Sequence, residues 1–344
     1  MKKKILVFMI FIIVILLVGG IAIKFYPKKQ ETSTNNVPNN NIEIDSEQQA
    51  IEIELDKYKL RDNTKLCIVD TFSQDFYKVI VDKIYNYETT IVTENDDIDL
   101  MYYVSQAIRN NIFIDLLIED FELSDDGKTI TIKYAYETNE ERDEKLKEAE
   151  KIMKNVIMNA KANDANKMEM VLSVYTYWAT NISYDYDSAD PNDGKIPTIE
   201  DVIFEHKGIC QNYSSIISYT LNQMGIECYD MGGDVASGEP HAWNMVKIYG
   251  DYYQFDATFE NGITEGKGLS YFGLTKEDML EEGRIFSKWN EGFEYSDFSD
   301  KESDKLKMLQ DAIEYKVENH VLTLYNEENE EYAKMDTYSL EIIE

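Results

Sequence analysis

The stretch GICQNYSS, residues 208–215, decides the fold, because it sets a cysteine directly ahead of an apolar run with helical spacing. Apolar residues recur through residues 216–221, which predicts a helix whose first turn carries Cys210. The N–H groups of a first turn and the positive end of the helix dipole favour a thiolate there. Because the thiolate is the nucleophilic form, Cys210 is the candidate nucleophile.

Two later segments supply the companions that such a nucleophile needs. PHAWN at 240–244 contains His241, and YQFDAT at 253–258 contains Asp256. A cysteine, a histidine and an aspartate can act as the nucleophile, its base and the group that orients the base.

The motifs GICxxY at 208–213, HAWN at 241–244 and YxxDAT at 253–258 resemble the signature segments of the transglutaminase-like superfamily. This superfamily is a branch of the papain-like cysteine enzymes. The resemblance runs from about Met170 to Trp289, roughly a third of the chain.

The resemblance implies an α+β fold with a papain-like core. In that core the helix bearing Cys210 packs on an antiparallel sheet bearing His241 and Asp256. Two positions depart from the pattern: Asn212 stands where relatives often have glycine, and Phe259 where they often have tryptophan. Both departures bear on substrate choice more than on the chemistry.

The acidic partner of His241 is less secure from the sequence than the cysteine. A two-residue turn at 250–251 would place Glu260 opposite His241 in the hairpin. Asp256 would then lie on the same face but four residues along the strand, about 13 Å away. A bulge would close that gap, and the family pattern favours Asp256, so Glu260 is the second candidate.

Other residues compete for roles in the site. His206 and His320 are rival bases, but His206 lies in a polar run and His320 lies far along the chain. The backbone N–H of Cys210 is the first oxyanion donor, and the sequence leaves the second open between Trp178, Tyr184 and another side chain. Trp243 is expected either to line an acyl groove or to pack in the core.

The chain begins with a lysine-rich start and nineteen uncharged residues, Ile5–Ile23, which nearly span a bilayer. The cleavage signal after them is weak, so residues 1–29 are expected to be an uncleaved membrane anchor rather than a signal peptide. We expect a single-pass protein at the cell membrane, with its catalytic domain outside. Residues 30–48 are polar and without apolar periodicity, which predicts a flexible stalk.

Beyond the stalk, periodicity divides the chain into four parts. Residues 50–138 alternate strand and helix signals, which predicts a small α/β accessory domain without a nucleophile or base. Residues 139–165 predict a connecting helix and residues 166–300 the catalytic domain. Residues 301–344 predict one helix followed by two or three strands.

Charge and cysteine content exclude several classes of function. Lys and Arg number 34 against 66 Asp and Glu, and the net charge of −32 argues against binding to nucleic acids. Of the three cysteines, Cys67 and Cys228 lie in apolar runs and are expected to be buried rather than paired. Zinc bound by Cys210, Cys228 and His241 lacks the usual paired ligands, and the loop 185–194 lacks the ligand pattern of a calcium site.

The sequence therefore predicts thiol-dependent acyl transfer on a protein or peptide, with no metal or cofactor. The products would be a cross-link, a deamidated side chain or a cleaved peptide. The alternative is a non-catalytic surface module that uses the same cleft to bind a peptide.

Overall fold

The computed structural model describes residues 74–188, 197–286, 301–326, 328 and 330–343, which all lie in one compact unit. The expected anchor and stalk lie outside these residues. Among the described helices, none has both the length and the apolar character that crossing a bilayer requires.

The first part of the described chain is a three-stranded antiparallel sheet, in the order β1-β3-β2, covered by three helices. A hairpin joins β2 and β3, and Gly127 in its turn takes a φ of 72°, which glycine adopts without strain. Its elements are α1 (Gln74–Tyr85), β1 (Thr90–Val92), α2 (Leu100–Asn110), α3 (Ile112–Leu117), β2 (Ile118–Leu123) and β3 (Thr129–Tyr134).

Two longer helices follow, each begun by a capping box. Thr138 caps the predicted connecting helix, α4 (Asn139–Ala160), and Asn166 caps α5 (Lys167–Asn181). A two-stranded parallel sheet, β4 (Ser183–Tyr184) with β5 (Lys207–Gly208), then leads into α6 (Cys210–Gln223).

The central sheet is antiparallel, in the order β10-β6-β7-β8-β9, and α6 packs on β6 and β7. The α+β core expected from the sequence is therefore present. Its elements, with the two helices inserted between the strands, are β6 (Cys228–Asp234), β7 (Pro240–Ile248), β8 (Asp251–Phe255), α7 (Ala257–Thr264), β9 (Phe272–Leu274), α8 (Lys276–Glu281) and β10 (Ile285–Phe286).

The hairpin between β7 and β8 corrects the register expected from the sequence. Its turn is Tyr249-Gly250, with φ of 50° and 105°, so that Ile248 pairs with Asp251. The positive φ of Tyr249 carries no signal in the sequence, since turns prefer glycine or asparagine there. The strand then ends at Phe255, and the segment expected to continue as strand begins α7 instead.

Gly233 lies within β6, where neighbouring strands approach it closely. A Cβ at this position would come within 2.1 Å of the Ile285 carbonyl oxygen and 2.8 Å of the Trp243 ring. The glycine is needed for close packing between strands, and not for chain reversal.

The C-terminal part forms a separate four-stranded antiparallel sheet after a short 3₁₀ helix, Lys307–Asp311. The sequence analysis expected a helix and two or three strands. The strands are β11 (Glu314–Glu318), β12 (Val321–Tyr325), β13 (Glu331–Asp336) and β14 (Glu341–Ile342).

One continuous hydrophobic cluster joins the N-terminal part to the cysteine helix. Residues of α2 and α3 pack on α6, and the rings of Phe113 and Tyr219 meet edge to face at 5.8 Å. Both side chains are buried. The N-terminal part therefore covers a face of the helix that begins with Cys210.

We expect a chain that begins at Asn139 to be unstable, although residues 74–138 carry none of the candidate catalytic groups. Each large apolar side chain that this deletion uncovers costs about 1.5–3 kcal/mol, and a whole domain is stable by about 5–15 kcal/mol. Thermal unfolding would measure the loss against a chain that begins at residue 74. Equal melting temperatures would show that the chain from Asn139 onward does not depend on residues 74–138 for its stability.

Candidate active site

Cys210 is the first residue of α6 and is partly exposed, so its thiol is accessible. The Asn212 side-chain oxygen accepts from the Ile209 N–H at 2.9 Å, which stabilises the start of the helix. A Cβ on Gly208 would lie 2.9 Å from the Asn212 Cβ, so the end of β5 requires glycine at this position. The departure at Asn212 thus has a structural role in placing the cysteine.

His241 lies at the start of β7 with only 7% of its surface exposed. Its Nε2 is 2.8 Å from Asp256 Oδ2, and Cys210 is near enough to the imidazole to raise its pKa. Because Nε2 is engaged by the carboxylate, Nδ1 is the ring nitrogen left to face the sulfur. The structure therefore brings the three candidate residues together in the order that a nucleophile, its base and an orienting acid require.

Burial lowers the pKa of His241, but the Asp256 carboxylate and then Cys210 raise it more, to about 9. Burial raises the pKa of Asp256, but His241 and Arg284 outweigh this effect and lower it to about 2. The aspartate is therefore ionised and can only accept, so His241 Nε2 carries the hydrogen of their bond.

Asp256 is fully buried at the N-terminus of α7. Its Oδ1 accepts from the Phe259 N–H at 3.1 Å, and its Oδ2 accepts from Arg284 Nη2 at 2.9 Å. The sequence analysis missed Arg284, which lies 28 residues further along the chain and in none of the motifs. A local pattern could not have revealed it.

Phe259 lies over the acidic end of the site. Its ring meets the His241 ring edge to face at 5.1 Å, and the Arg284 guanidinium carbon lies 3.7 Å from its centroid. The second departure from the family pattern therefore covers the histidine and the arginine, and helps to keep water from their bonds.

Glu260, the second candidate for the acid, has other partners. It accepts from the Tyr271 N–H at 2.7 Å and from the Tyr175 hydroxyl at 3.1 Å. Burial raises its pKa. Since β8 ends before it, Glu260 points into the packing of α5 and α7 and not toward His241.

The rival bases lie elsewhere. His206 is exposed before β5, and His320 Nδ1 is 3.0 Å from Glu169 Oε1 beside the C-terminal sheet. His241 is the histidine that contacts the thiol.

The candidate oxyanion donors differ in their availability. Trp178 is buried and donates its Nε1–H to Thr220, so it is committed to the core. Tyr184 pairs with Gly208 and interacts electrostatically with Cys210, while burial raises its pKa. Trp243 donates to Gln254 at 2.9 Å and is 1% exposed, so it packs in the core and does not line a groove.

No group of three or more His, Cys, Asp or Glu side chains could hold a metal ion in the part of the chain that the structure describes. Cys228 is buried in the main core, as the sequence analysis expected. Cys67 and most of the acidic loop considered for calcium lie outside the described residues.

We expect the imidazole of His241 to titrate with a midpoint near pH 9, against about 6.5 for a free histidine. Because the pKa is raised on folding, the stabilisation is full below pH 6.5 and is lost as the pH rises through 9. NMR titration of the three histidines, with His241→Gln for assignment, would measure this midpoint. A midpoint at or below 7 would contradict it.

Comparison with known proteins adds to this geometry. Residues 134–257 match the model of the transglutaminase-like superfamily, and no curated protein matches the chain. Three solved structures are similar. A TGase is 14% identical over 64% of this chain and 54% of its own, with a TM-score of 0.31. LapG of Legionella pneumophila, in an EGTA-treated form, is 12% identical over 52% of this chain and 92% of its own, with a TM-score of 0.30. A putative cysteine protease from Cytophaga hutchinsonii is 20% identical over 32% of this chain and 37% of its own, with a TM-score of 0.26. The chain thus spans about half the length of the TGase.

Proposed function

We propose that this chain, whose residues 134–257 match the model of the transglutaminase-like superfamily, is a thiol-dependent acyl-transfer enzyme acting on proteins or peptides. The observation that carries the proposal is the contact series from Cys210 through His241 to Asp256. It combines an accessible thiol at a helix start with a buried imidazole 2.8 Å from a carboxylate.

In the first half-reaction the Cys210 sulfur attacks the carbonyl carbon of a glutamine side chain or a peptide. The C–N bond breaks as His241 gives its Nδ1 proton to the departing ammonia or amine, and a thioester remains. Asp256 accepts from Nε2–H throughout and holds the ring so that Nδ1 faces the sulfur.

In the second half-reaction an amine or water attacks the thioester, and His241 takes the proton of the attacking group. The C–S bond then breaks and Cys210 is restored. The N–H groups at the start of α6 support the negative oxygen, and Tyr184 is our candidate for the second donor. This chemistry requires no cofactor.

The N-terminal segment, with its nineteen uncharged residues, supports a place for this reaction at the outer face of a cell membrane. A cell-surface protein or peptide is then the substrate class. The strongly acidic chain favours cationic segments over nucleic acids, since like charges repel.

Mass spectrometry of a glutamine-rich protein, incubated with the enzyme and a labelled primary amine, tests the proposal. Label incorporation identifies cross-linking, a mass gain of about one dalton identifies deamidation, and chain cleavage identifies a peptidase. Cys210→Ala is the matched blank. If the intact chain gives none of the three but still binds the protein, the peptide-binding alternative replaces the enzyme.

A further inference from the structure

Arg284 is a buried cation that the proposed mechanism does not use. Only 2% of its surface is exposed, and both its Nη2 and its Nε approach Asp256 Oδ2, at 2.9 and 3.3 Å. Its guanidinium stacks on the Phe259 ring, and the same ring packs edge to face with His241. An arginine this deeply buried is rare unless its charge is paired.

The backbone holds Arg284 in this position. Gly283 has a φ of 78° and ends α8, so that the Arg284 N–H donates to the Met279 carbonyl at 2.8 Å. Arg284 Nη1 also donates to the Glu282 carbonyl at 3.0 Å. The backbone of Arg284 is therefore held by Met279, and its guanidinium is held by the Glu282 carbonyl and by the Phe259 ring before it meets the carboxylate.

The charges of the site explain why a cation is useful there. A thiolate on Cys210, an imidazolium on His241 and a carboxylate on Asp256 together carry one net negative charge. A site that is mostly closed to water resists such an excess. The guanidinium supplies the fourth charge and makes the set neutral, and it cannot be deprotonated in a protein.

We propose that Arg284 is a positioning residue of the active site, which balances the charge of Asp256 and thereby allows Cys210 to ionise beside His241. The proposal rests on the proposed function. It adds a fourth group to the three that the motifs supply, and it places that group on a segment beyond the region that matches the family.

The test is the pH dependence of Cys210 alkylation by iodoacetamide in the full chain, followed by peptide mass spectrometry. In Arg284→Met, the loss of a neighbouring cation moves the midpoint of the alkylation profile up by about one pH unit. Labelling at pH 6 then slows by about 10-fold. Arg284→Lys keeps the charge and returns the midpoint most of the way to that of the wild type.

Arg142→Met is the matched control. Arg142 also stacks on an aromatic ring, at 4.5 Å from the Tyr134 centroid, and also donates to a carbonyl, that of Tyr136 at 2.6 Å. Arg142 does not belong to the site formed by Cys210, His241 and Asp256, so its loss leaves the midpoint of Cys210 alkylation unchanged. An equal shift in Arg142→Met, or none in a folded Arg284→Met, overturns the proposal.

If Arg284→Met does not fold, the double variant with Asp256→Asn decides the matter. Removing the carboxylate as well removes the unbalanced charge, so the double variant should fold as Asp256→Asn does. Its failure to fold would show that Arg284 only fills space. In the wild type, labelling of Cys210 no faster than that of Cys228 would instead contradict the proposed function.

Discussion

Replacing His241 with alanine is expected to lower the rate of Cys210 acylation at pH 7 by about 10²–10⁴-fold. Two effects combine. The imidazolium that stabilises the thiolate is lost, and so is the proton that the leaving amine requires. Both effects follow from the position of the His241 ring, which interacts with Cys210 and whose Nε2 lies 2.8 Å from Asp256 Oδ2.

The rate of thioester formation, measured by burst kinetics or by single-turnover mass spectrometry, would check this result. His320→Ala is the matched control, because His320 also pairs with a carboxylate, that of Glu169 at 3.0 Å, but belongs to the C-terminal sheet. We expect His320→Ala to keep the wild-type rate. Equal losses in the two variants would mean that the effect comes from the fold and not from the chemistry.

Replacing Asp256 with alanine is expected to lower the free energy of unfolding by about 3–5 kcal/mol, in addition to slowing the reaction. The carboxylate is fully buried, and without it the guanidinium of Arg284 stays buried and unpaired. The Phe259 N–H at the start of α7 also loses its cap, which costs about 1 kcal/mol.

Chemical denaturation of both Asp256→Ala and Asp278→Ala would measure this difference. Asp278 is also a buried carboxylate that caps a helix and pairs with a cation, Lys307, at 2.7 Å. The Lys307 side chain is 60% exposed, so water can solvate it once the carboxylate is removed. We therefore expect Asp278→Ala to lower the free energy of unfolding by only about 1–2 kcal/mol. If the two variants lose equal free energy of unfolding, Arg284 is not a buried cation that depends on Asp256 to balance its charge.

Glu260→Gln separates the two acids that the sequence left in competition. We expect it to retain the wild-type pH profile and to lose some stability, because Glu260 accepts from Tyr175 and Tyr271 and has no contact with the imidazole. The Thr264 hydroxyl donates to the other carboxylate oxygen, so a buried amide with a single acceptor oxygen would leave one of the three donors poorly satisfied, at a cost of about 1–3 kcal/mol.

The sequence by itself determined the local structure around the site. Glycine and helical periodicity predicted a helix that begins at Cys210, and α6 begins at that residue. The density of charged residues, together with spaced apolar residues, predicted the connecting helix, which is α4. Such features depend on hydrogen bonds and side chains within a few residues of one another, so a single stretch of chain contains the information.

The tertiary structure decided which acid meets His241 and which cation meets that acid. The alternation of side chains along the predicted strand left Asp256 and Glu260 as candidate partners of His241. The choice between them depended on a turn in which Tyr249 takes a positive φ and on the early end of β8. The partnership of Asp256 with Arg284 depends on the packing of α8 beside α7, where a buried charge must find an opposite charge. Because these contacts join distant segments through space, no pattern along the chain records them.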